Sequence, residues 1–369
     1  MQRHAPIDVR QFQILVILFT VGTTVLIAPA GLAELLGQDA WLAPIIAIGP
    51  GLLLVLLYNT ISSIYPEKTF IELCESLLGV WLGRTISIMF VIFSFLAAAM
   101  SLFDVGRFIN TIIMPETPIL FVNLLFVILL VYAIGSGFDT LARMMELFFP
   151  WFMLLFLLMV IFVVPQIDLK NVQPMMEFEA KNLVLAVLSV LSISFMPLVV
   201  FLMFHKKGLQ FPAIKQRAFL KAVLIGSIIS VIIVALTILV IGANVVSLQE
   251  FPVYHLARKI SIGNFLQRVE VVGAGIWMIT IFAKISVYFY ASVSGLINIA
   301  KLKNQRSILL PLSFLLLVVS TDIFPNSIFE NDFNSSDWIV LVFVIGVIIP
   351  ISLLLVAILK RQLIKSDSK

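Results

Sequence analysis

Helix-length apolar runs recur along this chain, and two of them are broken near the middle by residues that unsettle a helix. Runs of about 18 or more apolar residues read as membrane-spanning helices. The pattern predicts ten, at roughly 11–36, 41–64, 82–105, 117–136, 140–164, 182–204, 218–245, 269–299, 307–323 and 337–360. The first run, Gln11 to Leu36, is interrupted at Val21-Gly22-Thr23-Thr24. The sixth, Asn182 to Phe204, is interrupted at Ser192-Ile193-Ser194-Phe195-Met196-Pro197. Hydrocarbon tolerates irregular backbone only where protein buries it or water reaches it. Gly and Pro also simply kink many membrane helices. Here the breaks fall in the first span and in the first span after five helices, corresponding places that point to a solute site.

Composition agrees with a bilayer setting. The chain is 61% hydrophobic and 12% charged over 369 residues, with a mean hydropathy of +1.14. A soluble domain of that size could not hide so much apolar surface. The first run is too long, and lacks the small-residue site, for a cleavable leader. Placing the N-terminus inside puts seventeen of the 24 basic residues on inner segments, six on outer ones and Lys284 within a span. That bias predicts a multi-pass protein with both termini cytoplasmic. It also explains the basic stretch His205 to Lys221 as a topology anchor beside anionic lipid, without a nucleic-acid or acidic protein partner. The longest outer loop, Val246 to Arg268, carries Phe251-Pro252 through Ile260. Pro suits a first helical turn and basic residues a last one, so a short interfacial helix is expected there, capping a vestibule or covering the bundle.

The breaks offer polar groups without charged side chains. If the chain unwinds at Gly22, the amides of Thr24, Val25 and Leu26 open toward an electron-rich group. The carbonyls near Phe19, Thr20 and Val21 face a cation or ammonium. In the sixth span Pro197 has no N–H, so the carbonyl of Ile193 lacks its helical donor, with the Ser192 and Ser194 hydroxyls beside it. Lys284 is the one charge deep in a span, where such a residue costs about 2.5–3.5 kcal/mol. Trp277, Thr280, Lys284, Tyr288 and Ser292 form one polar-aromatic stripe at helical spacing. The expected partner of the ammonium is the carbonyl end of the first half-helix; the other reading is a lysine that locks two helices together. Asp104 lies toward the outer end of the third span, and Glu146 is expected to pair with Arg143 on its own helix.

Catalysis finds no support. His4, His205 and His255 have no metal-ligand spacing. No nucleophile–base pattern or phosphate loop is present, so neither enzyme activity nor a cofactor is expected. Cys74, the single cysteine, excludes an internal disulfide and reads as a small residue in a cytoplasmic loop. Asp322, Glu330, Asp332 and Asp337 read as a solvated acidic loop or a weak cation site.

Several segments together resemble the B subunits of bacterial spore germinant receptors. They are Phe19 to Thr24, Gly37-Gln38-Asp39-Ala40-Trp41, Leu78 to Gly83, Met114-Pro115-Glu116-Thr117-Pro118, Phe251-Pro252, Arg258 to Ile262, and the buried Lys284. That family is similar to the amino acid–polyamine–organocation transporters. The resemblance implies an all-α integral membrane fold of ten helices in one domain, 1–369, with discontinuous helices one and six. Two inverted five-helix repeats would lie near 11–164 and 182–323, with the final span at 337–360. It implies a central site drawn from Gly22, Thr23, Thr24, Ser192, Ser194, Phe195, Thr280, Tyr288 and Lys284, the last in place of a bound cation. It further implies nutrient sensing in the inner membrane of the endospore, beside receptor A and C subunits. The solute would be a small nutrient, an amino acid first, a sugar or nucleoside otherwise. A proton-coupled amino acid permease is the competing function, since both need differential binding to two states of one bundle.

Overall fold

The computed structural model describes residues 7–24, 27–204, 212–258, 270–302 and 306–366. Among the described residues every regular element is helical. The chain begins with α1 (Val9–Val21), α2 (Ala28–Leu36), α3 (Leu42–Ile64), α4 (Phe70–Leu78) and α5 (Val80–Phe108). It continues with α6 (Ile119–Gly135), α7 (Phe138–Val163), α8 (Ala180–Val190), α9 (Pro212–Ile241), α10 (Ala243–Val246) and α11 (Pro252–Arg258). It closes with α12 (Glu270–Ala300), α13 (Arg306–Asp322), α14 (Ser327–Asp332), α15 (Trp338–Phe343) and α16 (Ile349–Ser366). Among the described residues, seven helical stretches are long and apolar enough to cross a membrane; Val9–Val21, Ile119–Gly135 and Ser307–Asp322 are shorter apolar helices.

Burial sorts these elements into an inner set and an outer shell. In Val272–Ala300, 72% of the most apolar window is buried, against 22% in Phe138–Gln166. In α1, Leu15, Val16, Leu18, Phe19 and Val21 are inaccessible on every side, as expected of a helix apolar all round in the centre of a bundle. By contrast Leu125 and Tyr132 on α6, Leu147 and Trp151 on α7, and Leu355 on α16 are exposed. Apolar residues on an outer surface match lipid as the surrounding solvent. The most extensive helix–helix interface is α12 against α5, with α1 lying on α9 and α12.

The ends of α1 are set locally. Asp8 accepts from the Val9 amide at 2.6 Å, and the Gln11 side chain accepts from the Asp8 amide at 3.2 Å. This reciprocal cap fixes where the helix starts.

Three expectations need correction. Cys74 sits in amphipathic α4, not a loop, and is buried with Phe70, Ile71, Leu73 and Leu77; burial pushes its thiol up to about 12, with Glu75 adding to the effect. Glu146 pairs with Arg10 at 3.8 Å and accepts from Gln11 Nε2 at 2.9 Å, because tertiary packing brings α1 against α7. The acidic loop is not simply solvated, since Glu330 binds Arg107. The expected interfacial helix is α11, while residues 205–211 and 259–269 of the two long connections lie outside the described residues.

Candidate functional site

The first span comes undone where its sequence is weakest. The α1 ladder ends with the Gly22 amide bonded to the Leu18 carbonyl at 3.0 Å, and α2 does not begin until Ala28. Between them the Thr23 carbonyl accepts from the Ile27 amide at 3.3 Å. Thr24 Oγ1 lies 3.4 Å from the Thr20 carbonyl. Local hydroxyl and turn bonds thus take up carbonyls that would otherwise stay open. Of the amides expected to open there, Val25 and Leu26 lie outside the described residues.

The sixth span behaves differently from the expected interruption. It stays wound but changes pitch twice: α8 passes into a π turn at Leu191–Phe195 and then a 3₁₀ segment at Met196–Phe204. The Met196 amide bonds to the Leu191 carbonyl across the wide turn. The cause is Pro197, which cannot complete the bond to Ile193; one π turn absorbs the missing donor without uncoiling the chain. The Ser192 hydroxyl does not turn to the Ile193 carbonyl but donates to the Ser189 carbonyl at 2.8 Å.

These two irregular stretches meet. Thr24 Oγ1 and Ser194 Oγ are 2.7 Å apart, both buried. Lys284 is only 2% exposed, and its Nζ donates to the Ile193 carbonyl at 3.0 Å. The lysine therefore binds the carbonyl orphaned by Pro197, not the carbonyl end of α1. The reason is local supply: the first break satisfies much of its own backbone, whereas Ile193 has lost its helical donor. The first break still packs against the same side chain. A Cβ at Gly22 would lie 2.9 Å from Lys284 Cδ, and the ammonium stands 5.3 Å from the Phe19 ring centroid, within cation–π range.

The remaining expected residues form a second layer. Thr280 turns its hydroxyl back onto the Ile276 and Trp277 carbonyls. Tyr288 packs its ring edge-on to Phe19 at 4.9 Å. Phe195 presses against α3, where a Cβ at Gly51 would meet its Cδ1 at 2.1 Å, so that position has no room for a side chain. The Thr23 carbonyl is taken by the Ile27 amide within the turn.

Sequence reasoning missed the roles of Tyr58 and Arg107, and placed Trp277 on the polar-aromatic stripe without assigning it a role. The Tyr58 hydroxyl, from α3, reaches the carbonyls of Gly346 at 2.6 Å and Met196 at 3.0 Å, holding the start of the 3₁₀ segment. Trp277 is fully buried with no hydrogen-bond partner for Nε1 among the described residues. Arg107, at the far end of the bundle away from Val9, is clasped by Glu250 and Glu330. Burial raises the Glu250 carboxyl above the usual carboxylate range, and Arg107 opposes that rise. A polar residue at helical spacing was the only available signal for Trp277; none marked Tyr58 or the partners of Arg107.

A buried helical bundle with a broken first segment and a lysine bound at a pitch change defines a membrane protein of transporter fold. The solved structure of MhsT in complex with L-phenylalanine matches it with a TM-score of 0.67 and 13% identity, covering 96% of this chain and 99% of that one. The chain belongs to the family described as Spore germination protein, whose profile matches residues 6–328. It is 29% identical to Spore germination protein KB of Bacillus subtilis (strain 168), over 97% of this chain and 96% of that relative. It is 23% identical to Spore germination protein A2 of the same organism, over 98% of this chain and 99% of that relative.

Proposed function

We propose that this protein is the nutrient-sensing subunit of a spore germinant receptor, binding a small solute between its first and sixth spans. The observation that carries the reading is the meeting of Thr24 and Ser194 at 2.7 Å beside a lysine bound to the Ile193 carbonyl. A break in the first span, a pitch change in the sixth and a buried ammonium beside them make a cradle that membrane interior otherwise disfavours. Gly22, Thr23, Thr24, Ser192, Ser194, Phe195, Thr280 and Tyr288 surround the solute in this reading, and Lys284 stands where a transporter of this fold would hold a cation. The MhsT structure contains L-phenylalanine, which supports an amino acid as the solute class.

The helices are then ten spans in two inverted repeats, near 11–164 and 182–323, with the last span at 337–360 and both termini cytoplasmic. The basic bias toward inner segments supports that orientation. The setting is the inner membrane of the endospore, beside receptor A and C subunits. Vesicles holding only this chain distinguish sensing from transport. Saturable binding of labelled amino acids without concentrative uptake is expected; concentrative uptake with the chain alone would make it a permease instead.

A further inference from the structure

Asp104 is an intramembrane carboxylate that the proposed site does not use. It lies on α5, the helix most extensively packed on α12. Two ring contacts set the antiparallel register of that pair: Phe108 with Trp277 at 5.0 Å, and Phe93 with Tyr288 at 6.2 Å. Asp104 therefore lies between the levels of Trp277 and Lys284, just on the far side of the ammonium. It is within electrostatic reach of Lys284, Arg107, Glu250 and Glu330. Met100, Asp104 and Arg107 keep partial accessibility, while Ser101, Leu102, Phe103, Val105 and Gly106 are buried. Met100, Asp104 and Arg107 thus mark one face of α5 that its neighbours do not fully cover.

Charge makes that face selective. The Arg107 guanidinium is already engaged by Glu250 through Nε and by Glu330 through Nη1. The Lys284 ammonium donates to a backbone carbonyl. Among the described residues, no hydrogen bond or ion pair holds the Asp104 carboxylate. Asp104 is thus left as an acidic group that an incoming cationic group can engage. A carboxylate in the membrane interior without a bonded partner is costly; a charge-assisted hydrogen bond from a ligand ammonium relieves that cost.

We infer that Asp104 receives the ammonium of a zwitterionic solute whose carboxylate lies toward Lys284 and the hydroxyls of Thr24 and Ser194. The inference deepens the proposed site and rests on it: it restricts the solute to molecules carrying an amine and an acid a few bonds apart. Asp104 becomes the specificity-determining residue for the amine.

The test is equilibrium binding to full-length protein in lipid nanodiscs. The probes are L-alanine, L-valine and L-leucine, each beside the 2-hydroxy acid in which a hydroxyl replaces the ammonium. Wild-type protein is expected to bind the amino acids at least about tenfold more tightly than the hydroxy acids. Asp104→Asn should reduce that preference to less than about threefold by weakening the amino acids alone, and Asp104→Glu should restore part of it. Equal affinity for both series in wild-type protein overturns the inference yet leaves the solute site standing, and needs no variant to fold. A preference that survives in Asp104→Asn also overturns it. Wild-type protein that binds none of the six probes overturns the amino acid reading itself.

Discussion

Lys284→Met separates a binding role from a purely structural one. Holding an ammonium near the middle of a span costs about 2.5–3.5 kcal/mol. Against this stand one charged hydrogen bond to the Ile193 carbonyl, about 1.5–3 kcal/mol, and the contact with Phe19, about 0.5–2 kcal/mol. The opposing effects nearly cancel. Methionine keeps the length and most of the volume of the lysine, so it preserves packing beside Gly22. The variant should therefore differ in unfolding free energy by less than about 2 kcal/mol, since removing the charge offsets the unpaired Ile193 carbonyl. Solute affinity should meanwhile fall by about a hundredfold or more, as a buried charged contact to a ligand carboxylate disappears. Thermal unfolding in detergent gives the first quantity and radioligand binding on the same sample the second. Undiminished affinity would refute the reasoning. So would a loss of binding that only tracks a loss of folded protein, the behaviour of a lysine that merely ties helices together.

Other perturbations probe the surroundings of the site. Gly51→Ala places a methyl group 2.1 Å from Phe195 Cδ1; the buried ring must shift, which should cost about 1–3 kcal/mol in unfolding free energy and weaken solute binding together. Tyr58→Phe leaves the carbonyls of Met196 and Gly346 without their hydroxyl; a loss of about 1–2 kcal/mol is expected, with increased hydrogen exchange near 196–200. The His255 imidazole is held below its usual range, first by burial and then by Arg258. Its folded form therefore resists the proton that the unfolded chain accepts, so stability present above about pH 6.5 should decline as pH falls through that value. His255→Gln should flatten that decline in unfolding measured across pH 5–8, values that bracket the ordinary imidazole range.

The parts legible in the sequence are those set by local patterning. Apolar runs placed most helices to within a few residues, because hydrocarbon thickness and backbone satisfaction leave few alternatives. Gly22 marked a true break, since a glycine followed by two threonines weakens the helix and supplies its own caps. Pro197 marked the sixth span, but a missing N–H does not reveal how the chain responds; a single π turn preserves winding where an interruption was expected. The donor-less carbonyl of Ile193 was legible, yet its capture by Lys284 was not. That pairing joins residues 91 positions apart and depends on how α12 crosses the sixth span. The same applies to Glu146 with Arg10 and to the clasp around Arg107: charge is visible in one dimension, but its partner is chosen by packing.

The most direct test is an experimental structure of the full-length protein in nanodiscs saturated with L-leucine. The account predicts the amino acid bound between the first and sixth spans, with its carboxylate within hydrogen-bonding distance of Lys284 or of the Thr24 and Ser194 hydroxyls, which have parted to admit it. An amino acid bound elsewhere, with Thr24 and Ser194 still in contact and Lys284 still on the Ile193 carbonyl, would contradict it.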